Sequence, residues 1–253
     1  MQITDYEDFR ELVKKVADRD KFIWKDLVDE FNISVDRGFN SLERVFKDTT
    51  FSVIDLRGLD TSNVTNMRCA FSSCRELVKL DLTDFNTSKV KDMSFMFNGC
   101  RNLKELNLSS FDTSSVRYMR SVFAGCLNLI DLDISSFRTP KLKDMKTMFS
   151  SCRSLKALDL SNFYLDRVDL EPRVIKKVYK CTPDGLVRLE GETRMSYNKI
   201  LKSVSCEIKL PEGYGIEDGN LIREENYDTE VNADKFFGKI EQMANSFESS
   251  NYF

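Results

Sequence analysis

Two sets of residues in this chain recur at a spacing that could support chemistry. The first is sulfur: Cys74, Cys100, Cys126 and Cys152 stand 26 residues apart. Four thiols could hold a metal or form disulfides, but the chain has no histidine and no Cys-x-x-Cys pair, so the short ligand spacing of a structural zinc site is missing. Each thiol follows a phenylalanine by three residues and precedes a leucine by three. We read them as one buried, reduced column, because thiols stacked in parallel point the same way and make poor disulfide geometry. No metal and no cofactor is expected.

The second set is carboxylate. Asp55, Asp81, Asp133 and Asp159 share one position, Asn107 fills it in the intervening copy, and Glu105 and Asp131 stand immediately before the same motif. Paired carboxylates could do acid–base work in a cleft. Without histidine, and without Gly-x-x-x-x-Gly-Lys, Gly-x-Gly-x-x-Gly or Gly-x-Ser-x-Gly, the rest of a catalytic apparatus is missing. The expectation is a non-enzymatic protein whose acids serve turns or a surface.

These residues belong to a sentence of 26 residues written four times and begun a fifth. Ile54-Asp-Leu56, Leu80-Asp-Leu82, Leu106-Asn-Leu108, Leu132-Asp-Ile134 and Leu158-Asp-Leu160 recur at that interval, followed by Leu59, Phe85, Phe111, Phe137 and Phe163. Between them run columns headed by Val64, Met67, Phe71, Cys74 and Leu77. A fixed period in this range marks a solenoid of the leucine-rich-repeat kind. In Leu-x-Leu the outer residues face one way and the middle one the other, as a short strand requires. Met93-x-x-Met96-Phe97 has apolar groups at helical spacing and predicts a turn or two of helix closing each copy. Asp60, Asn86 and Asp112 suit corners where a short side chain bonds its own backbone. The predicted fold is therefore an α/β solenoid: a leucine-rich-repeat superhelix of 26-residue coils with a parallel sheet, a helical N-terminal cap and a mixed C-terminal cap.

The ends follow from the same logic. Residues 1–40 read as the helical N-terminal cap: Thr4-Asp-Tyr-Glu7 is a capping-box pattern ahead of Tyr6, Phe9, Leu12, Val13 and Val16, and a second helix is expected from Phe22 to Phe31. Residues 41–190 are the repeat region, its last copy degenerate and ending in a strand at Leu186–Leu189. Residues 191–253 hold a strand at Val204–Leu210, read as an antiparallel edge, a loop over 211–230, and a last helix with Phe236, Ile240 and Phe247 on one face.

Asp60-Thr-Ser-Asn-Val-Thr-Asn-Met67, Ser110-Phe-Asp-Thr-Ser-Ser-Val116 and Met93-Ser-Phe-Met-Phe-Asn-Gly-Cys100 resemble the BspA-type leucine-rich repeats of bacterial surface proteins and mycoplasma lipoproteins. The resemblance implies a non-enzymatic binding solenoid, in a family usually exported and adhesive. Charged residues make up 31% of the chain and the net charge is −3. There is no export-type N-terminus and no long apolar run, so the chain reads as cytoplasmic.

Function then rests on the positions that the repeat leaves free. The central strand residues would form an acidic row, Asp55, Asp81, Asn107, Asp133 and Asp159 with Glu105 and Asp131, on a concave sheet face offered to a protein partner, for which a basic nucleic-acid-binding protein or nuclease is the candidate. One alternative is a phage-type inhibitor that lays this ladder into the nucleic-acid channel of a host-defence nuclease; another is a surface adhesin fragment. Lys91, Arg117 and Lys143 form a basic column beside Tyr118, but with so few aromatics and so small a net charge, direct nucleic-acid binding is not expected. Nor is membrane binding.

Overall fold

A computed structural model describes residues 1–165 and 167–168 and, further along, residues 173–175, 178–182, 185–189, 193–195, 207–211, 214–217 and 220–223. The architecture combines few helices with small parallel sheets, and most of the described chain lies outside helices and strands.

The N-terminal segment alternates short strands with helices: β1 (Gln2–Ile3), α1 (Tyr6–Lys15), β2 (Lys21–Ile23), α2 (Trp24–Phe31) and β3 (Ser34–Val35). Helix α1 is capped by Asp5, whose carboxylate accepts from the N–H groups of Glu7 and Asp8. Asp8 in turn accepts from the backbone and hydroxyl of Thr4 at 2.8 and 2.5 Å. The box expected at Thr4–Glu7 is thus present one residue later, because aspartate is the stronger cap and has a carboxylate three residues on to answer it.

The expected helix at Phe22 begins only at Trp24. Phe22 instead lies in β2, which pairs in parallel with β4 (Val53–Asp55), Phe22 opposite Ile54. An unpaired edge on the first repeat strand would leave backbone groups without partners. Satisfying them outweighs one more turn of helix.

Strand β4 pairs in turn with β5 (Lys79–Asp81), placing Ile54 opposite Leu80 and Asp55 opposite Asp81. Further along, only a single parallel bridge joins Glu105 to Asp131. A second ladder runs through Ser41, Asn66, Asp92, Tyr118 and Asp144, again one bridge per copy and all parallel. Residues one period apart therefore pair along two separate tracks.

Between the tracks the interior repeats column by column. Phe46, Phe71, Phe97, Phe123 and Phe149 stack with ring centroids 5.4–5.7 Å apart and planes within 12°. The stack closes at the N-terminal end where the geometry changes: Phe22 and Phe9 meet Phe46 edge-on, at 84° and 79°. An edge presented to a ring face suits the aromatic quadrupole and leaves no ring open to water.

The helix expected at each Met-x-x-Met-Phe is absent; a run of turns replaces it. Cys69, Phe95, Ser121 and Thr147 have φ of 52–60°, and Ser73, Gly99, Gly125 and Ser151 have φ of 62–76°. Two left-handed residues per copy forbid a continuous helix. Their effect is to aim alternate N–H groups at the neighbouring copy: Met67, Cys69, Phe71 and Ser73 donate to the carbonyls of Asp92, Ser94, Met96 and Asn98 at 2.7–2.9 Å. The intervening N–H groups close four-residue turns, as from Ala70 to Met67 at 3.2 Å. Apolar spacing of three and four, which suggested helix, is shared by this tape of turns.

At the far end, β6 (Ala157–Asp159) receives a partner from a distant part of the chain. Among the described residues, the strands β7 (Arg173–Ile175), β8 (Val178–Thr182), β9 (Gly185–Leu189) and β10 (Thr193–Met195) pair with one another, β8 with β9 and β7 with β10, both antiparallel. The strand expected at Leu186–Leu189 thus lies against β8. The place beside Leu158 goes to Ile208 of β11 (Glu207–Lys209), in parallel. The antiparallel edge expected there is corrected to a parallel one, since only a parallel strand continues the register of the copies before it. Within the segment expected to be a loop, β12 (Tyr214–Glu217) and β13 (Asn220–Arg223) form a hairpin. The helix expected around Phe236–Phe247 lies outside the described residues.

Candidate binding surface

The strand row is built from one small motif used repeatedly. Asn107, Asp133 and Asp159 each accept, through Oδ1, the N–H of the residue two further on (Ser109, Ser135 and Ser161) at 2.8–3.0 Å. Asp81 does the same for Thr83 and also takes its hydroxyl at 2.7 Å. The side chains cap the turn that follows each copy of the motif, which explains why Asp or Asn recurs there.

Only part of the row keeps its charge free. Arg57 grips both oxygens of Asp55, at 2.6 Å from Nη2 to Oδ2, and stands 3.5 Å from Asp81. Lys209 of β11 donates to Asp159 at 3.2 Å. Glu105, Asp131 and Asp133 are exposed and, among the described residues, none makes an ion pair. The row is neutralised at both ends and acidic in the middle.

The carboxyl groups reflect these partners. The guanidinium of Arg57 holds the Asp55 carboxyl below its usual range. Hydrogen bonds from Ser135 do so for Asp133, and from Ser161, with Lys209 adding a smaller share, for Asp159.

The interior columns have a similar economy. Thr61, Thr87, Thr113 and Thr139 are at most 2% exposed. Thr113 donates to the carbonyl of Arg138 at 2.8 Å and accepts the Arg138 N–H at 2.9 Å. Each described thiol of the cysteine column is buried and donates backwards, as Cys100 does to the carbonyl of Phe71 at 3.1 Å. Burial pushes the Cys126 thiol well up, the environment of a structural rather than a reactive cysteine.

The second ladder uses the same cap. Ser41, Asn66, Asp92 and Asp144 accept the N–H of Glu43, Arg68, Ser94 and Lys146 at 2.7–3.1 Å. Tyr118, in the same column, has no such acceptor within reach of its own backbone and is 41% exposed.

The family model described as Mycoplasma protein of unknown function, DUF285, matches residues 40–169, just over half of the chain. The chain belongs to this family. No curated protein and no solved structure matches it. The DUF285 region contains the whole strand row and the second ladder, and it leaves out the helices before it and the strands β7–β13 after it. No helix among the described residues is long and apolar enough to cross a membrane.

Sequence reasoning found the row but missed what neutralises it. Arg57 stands where the later copies carry Thr83, Ser109, Ser135 and Ser161, and Tyr118 where the copies on either side carry Asn66, Asp92 and Asp144. Departure from an otherwise uniform column was the available signal. Lys209 had none, because its partner lies 50 residues away.

Proposed function

We propose that residues 40–169 form a solenoid of stacked 26-residue repeats of the BspA type, and that its work is to bind another protein inside the cell, without catalysis. Parallel pairing of residues one period apart on two tracks, with a continuous stack of phenyl rings between them, supports the stacking. The binding surface is the middle of the strand row: Glu105, Asn107, Asp131 and Asp133.

One observation carries this choice. Glu105 and Asp131 sit opposite each other in the ladder, both exposed, and like charges at the ~4.8 Å spacing of adjacent strands repel. At either end of the row a cation pairs with the carboxylates, and in the middle, among the described residues, no ion pair forms. A partner with a basic surface would relieve that repulsion and gain association rate from it. A row interrupted by Arg57, Asn107 and Lys209 is a poor imitation of a continuous phosphate backbone, so the reading stays with a basic protein surface and does not extend to a nuclease channel.

The test begins with affinity purification from the source cells and continues with the purified partner. Its affinity for the full chain should fall at least tenfold for Glu105→Gln/Asp131→Asn/Asp133→Asn, and should weaken with salt. A partner that binds the triple variant as tightly as the parent chain excludes the row from its site.

A further inference from the structure

The second ladder carries an unneutralised surface of opposite sign. Arg117 is hydrogen-bonded through the backbone to Lys91 on one side and Lys143 on the other, each at 2.8 Å. Three cations are therefore stacked one strand spacing apart. All three are exposed, as is Arg120, and among the described residues none of the four makes an ion pair. Asp92 and Asp144 flank Tyr118 in the ladder, but each is turned to its own backbone as a cap, and Asp92 is shared with Arg68 at 3.9 Å.

Tyr118 is the second observation. Every other described copy uses its position to cap a backbone N–H; here that cap is given up for an exposed aromatic ring. A residue that breaks a local rule without stabilising the fold marks a site with another purpose. We infer that Tyr118, with Lys91, Arg117, Arg120 and Lys143 around it, binds single-stranded nucleic acid, one base stacking on the tyrosine ring while the cations follow the phosphates.

The choice of ligand follows from magnitudes. An acidic protein segment would offer separate exposed ion pairs, each of which contributes little, and would leave the ring without a use. A phosphate strand releases condensed counterions at each neutralised charge, and any base offers a face for stacking. The net charge of −3, which counted against nucleic acid, averages over faces of opposite sign; binding responds to the local patch.

The experiment measures anisotropy of a fluorescein-labelled oligothymidylate about 12 nucleotides long with the full chain. Four neutralised phosphates give a log–log salt slope of about −2.8, or about 50-fold weaker binding at 200 mM than at 50 mM salt. Tyr118→Asn should weaken binding by about 5- to 150-fold with the slope unchanged and the melting temperature no lower than the parent's. Tyr118→Phe should bind like the parent. Lys91→Ala/Lys143→Ala should flatten the slope by about 1.4. The inference is overturned if the parent fails to bind at 50 mM salt, if Tyr118→Asn binds like the parent, or if polyglutamate competes as well as unlabelled oligothymidylate, which would assign the face to an acidic protein.

Discussion

Inside the repeat region each copy obeys the one before it, whereas on the two ladders the copies differ. The phenylalanine column runs unbroken from Phe46 to Phe149 and the threonine column from Thr61 to Thr139. On the strand row Arg57 replaces a small hydroxyl residue, and on the second ladder Tyr118 replaces a cap. The difference separates two kinds of constraint. An interior column must match its neighbours in shape and hydrogen bonding at every level, since one misfit disturbs the copies above and below. A surface position is constrained only by its turn, so a departure there costs the fold little and is available to a partner.

The comparison breaks most visibly if an interior column is cut. Phe97 lies between Phe71 and Phe123 at 5.7 Å on both sides, and Phe97→Ala should destabilise by about 3–5 kcal/mol, read from urea unfolding. Next in size is Thr113→Val. The shape is kept, but the carbonyl and N–H of Arg138 lose their partner, which should cost about 1–3 kcal/mol. A loss under 0.5 kcal/mol would show that the threonine column is tolerant and that the contrast with the surface is overstated.

How much of this could be read in the sequence depends on how local the cause is. Strand placement was legible in part: Leu-x-Leu states its own alternation, but the strands expected at Leu106–Leu108 and Leu132–Ile134 are replaced by a single bridge between Glu105 and Asp131. The corners were legible, because Asp60 and Asp112 bond N–H groups only two residues away. The turns over 67–74 were mistaken for helix, since the spacing of Met67, Ala70 and Phe71 is compatible with either and the left-handed Cys69 has no side-chain signature. Phe22 was mistaken for a helix residue because its strand partner, Ile54, is far off in sequence. The carboxylates of the strand row could be listed from the repeat, but not where their charge is free: Arg57 reaches Asp81 of the next copy as well as Asp55, and Lys209 reaches Asp159 across 50 residues.

A smaller change sharpens the surface half of the comparison. Tyr118→Asn restores the acceptor present at Asn66, and the new hydrogen bond to the backbone of Arg120 should stabilise by about 0.5–1 kcal/mol. A mutation that raises stability while removing a binding activity would separate the two constraints at a single residue.

The smallest effect concerns Asp133. Its carboxyl is held below the ordinary range by Ser135, and a carboxylate with a depressed folded pKa contributes stability above its unfolded value and loses that contribution as pH falls. Asp55 and Asp159 are displaced in the same direction, so unfolding should become easier as pH drops below about 4, measured by circular dichroism at fixed temperature. Asp133→Asn keeps the acceptor for Ser135, as Asn107 does for Ser109, and at neutral pH should alter stability by less than about 0.5 kcal/mol. If so, the turn needs the oxygen and not the charge, and the negative charge at Asp133 is left to the surface. A loss well beyond that figure would mean that the charge itself holds the turn, and the strand row would then belong with the interior columns, as part of what keeps the copies together.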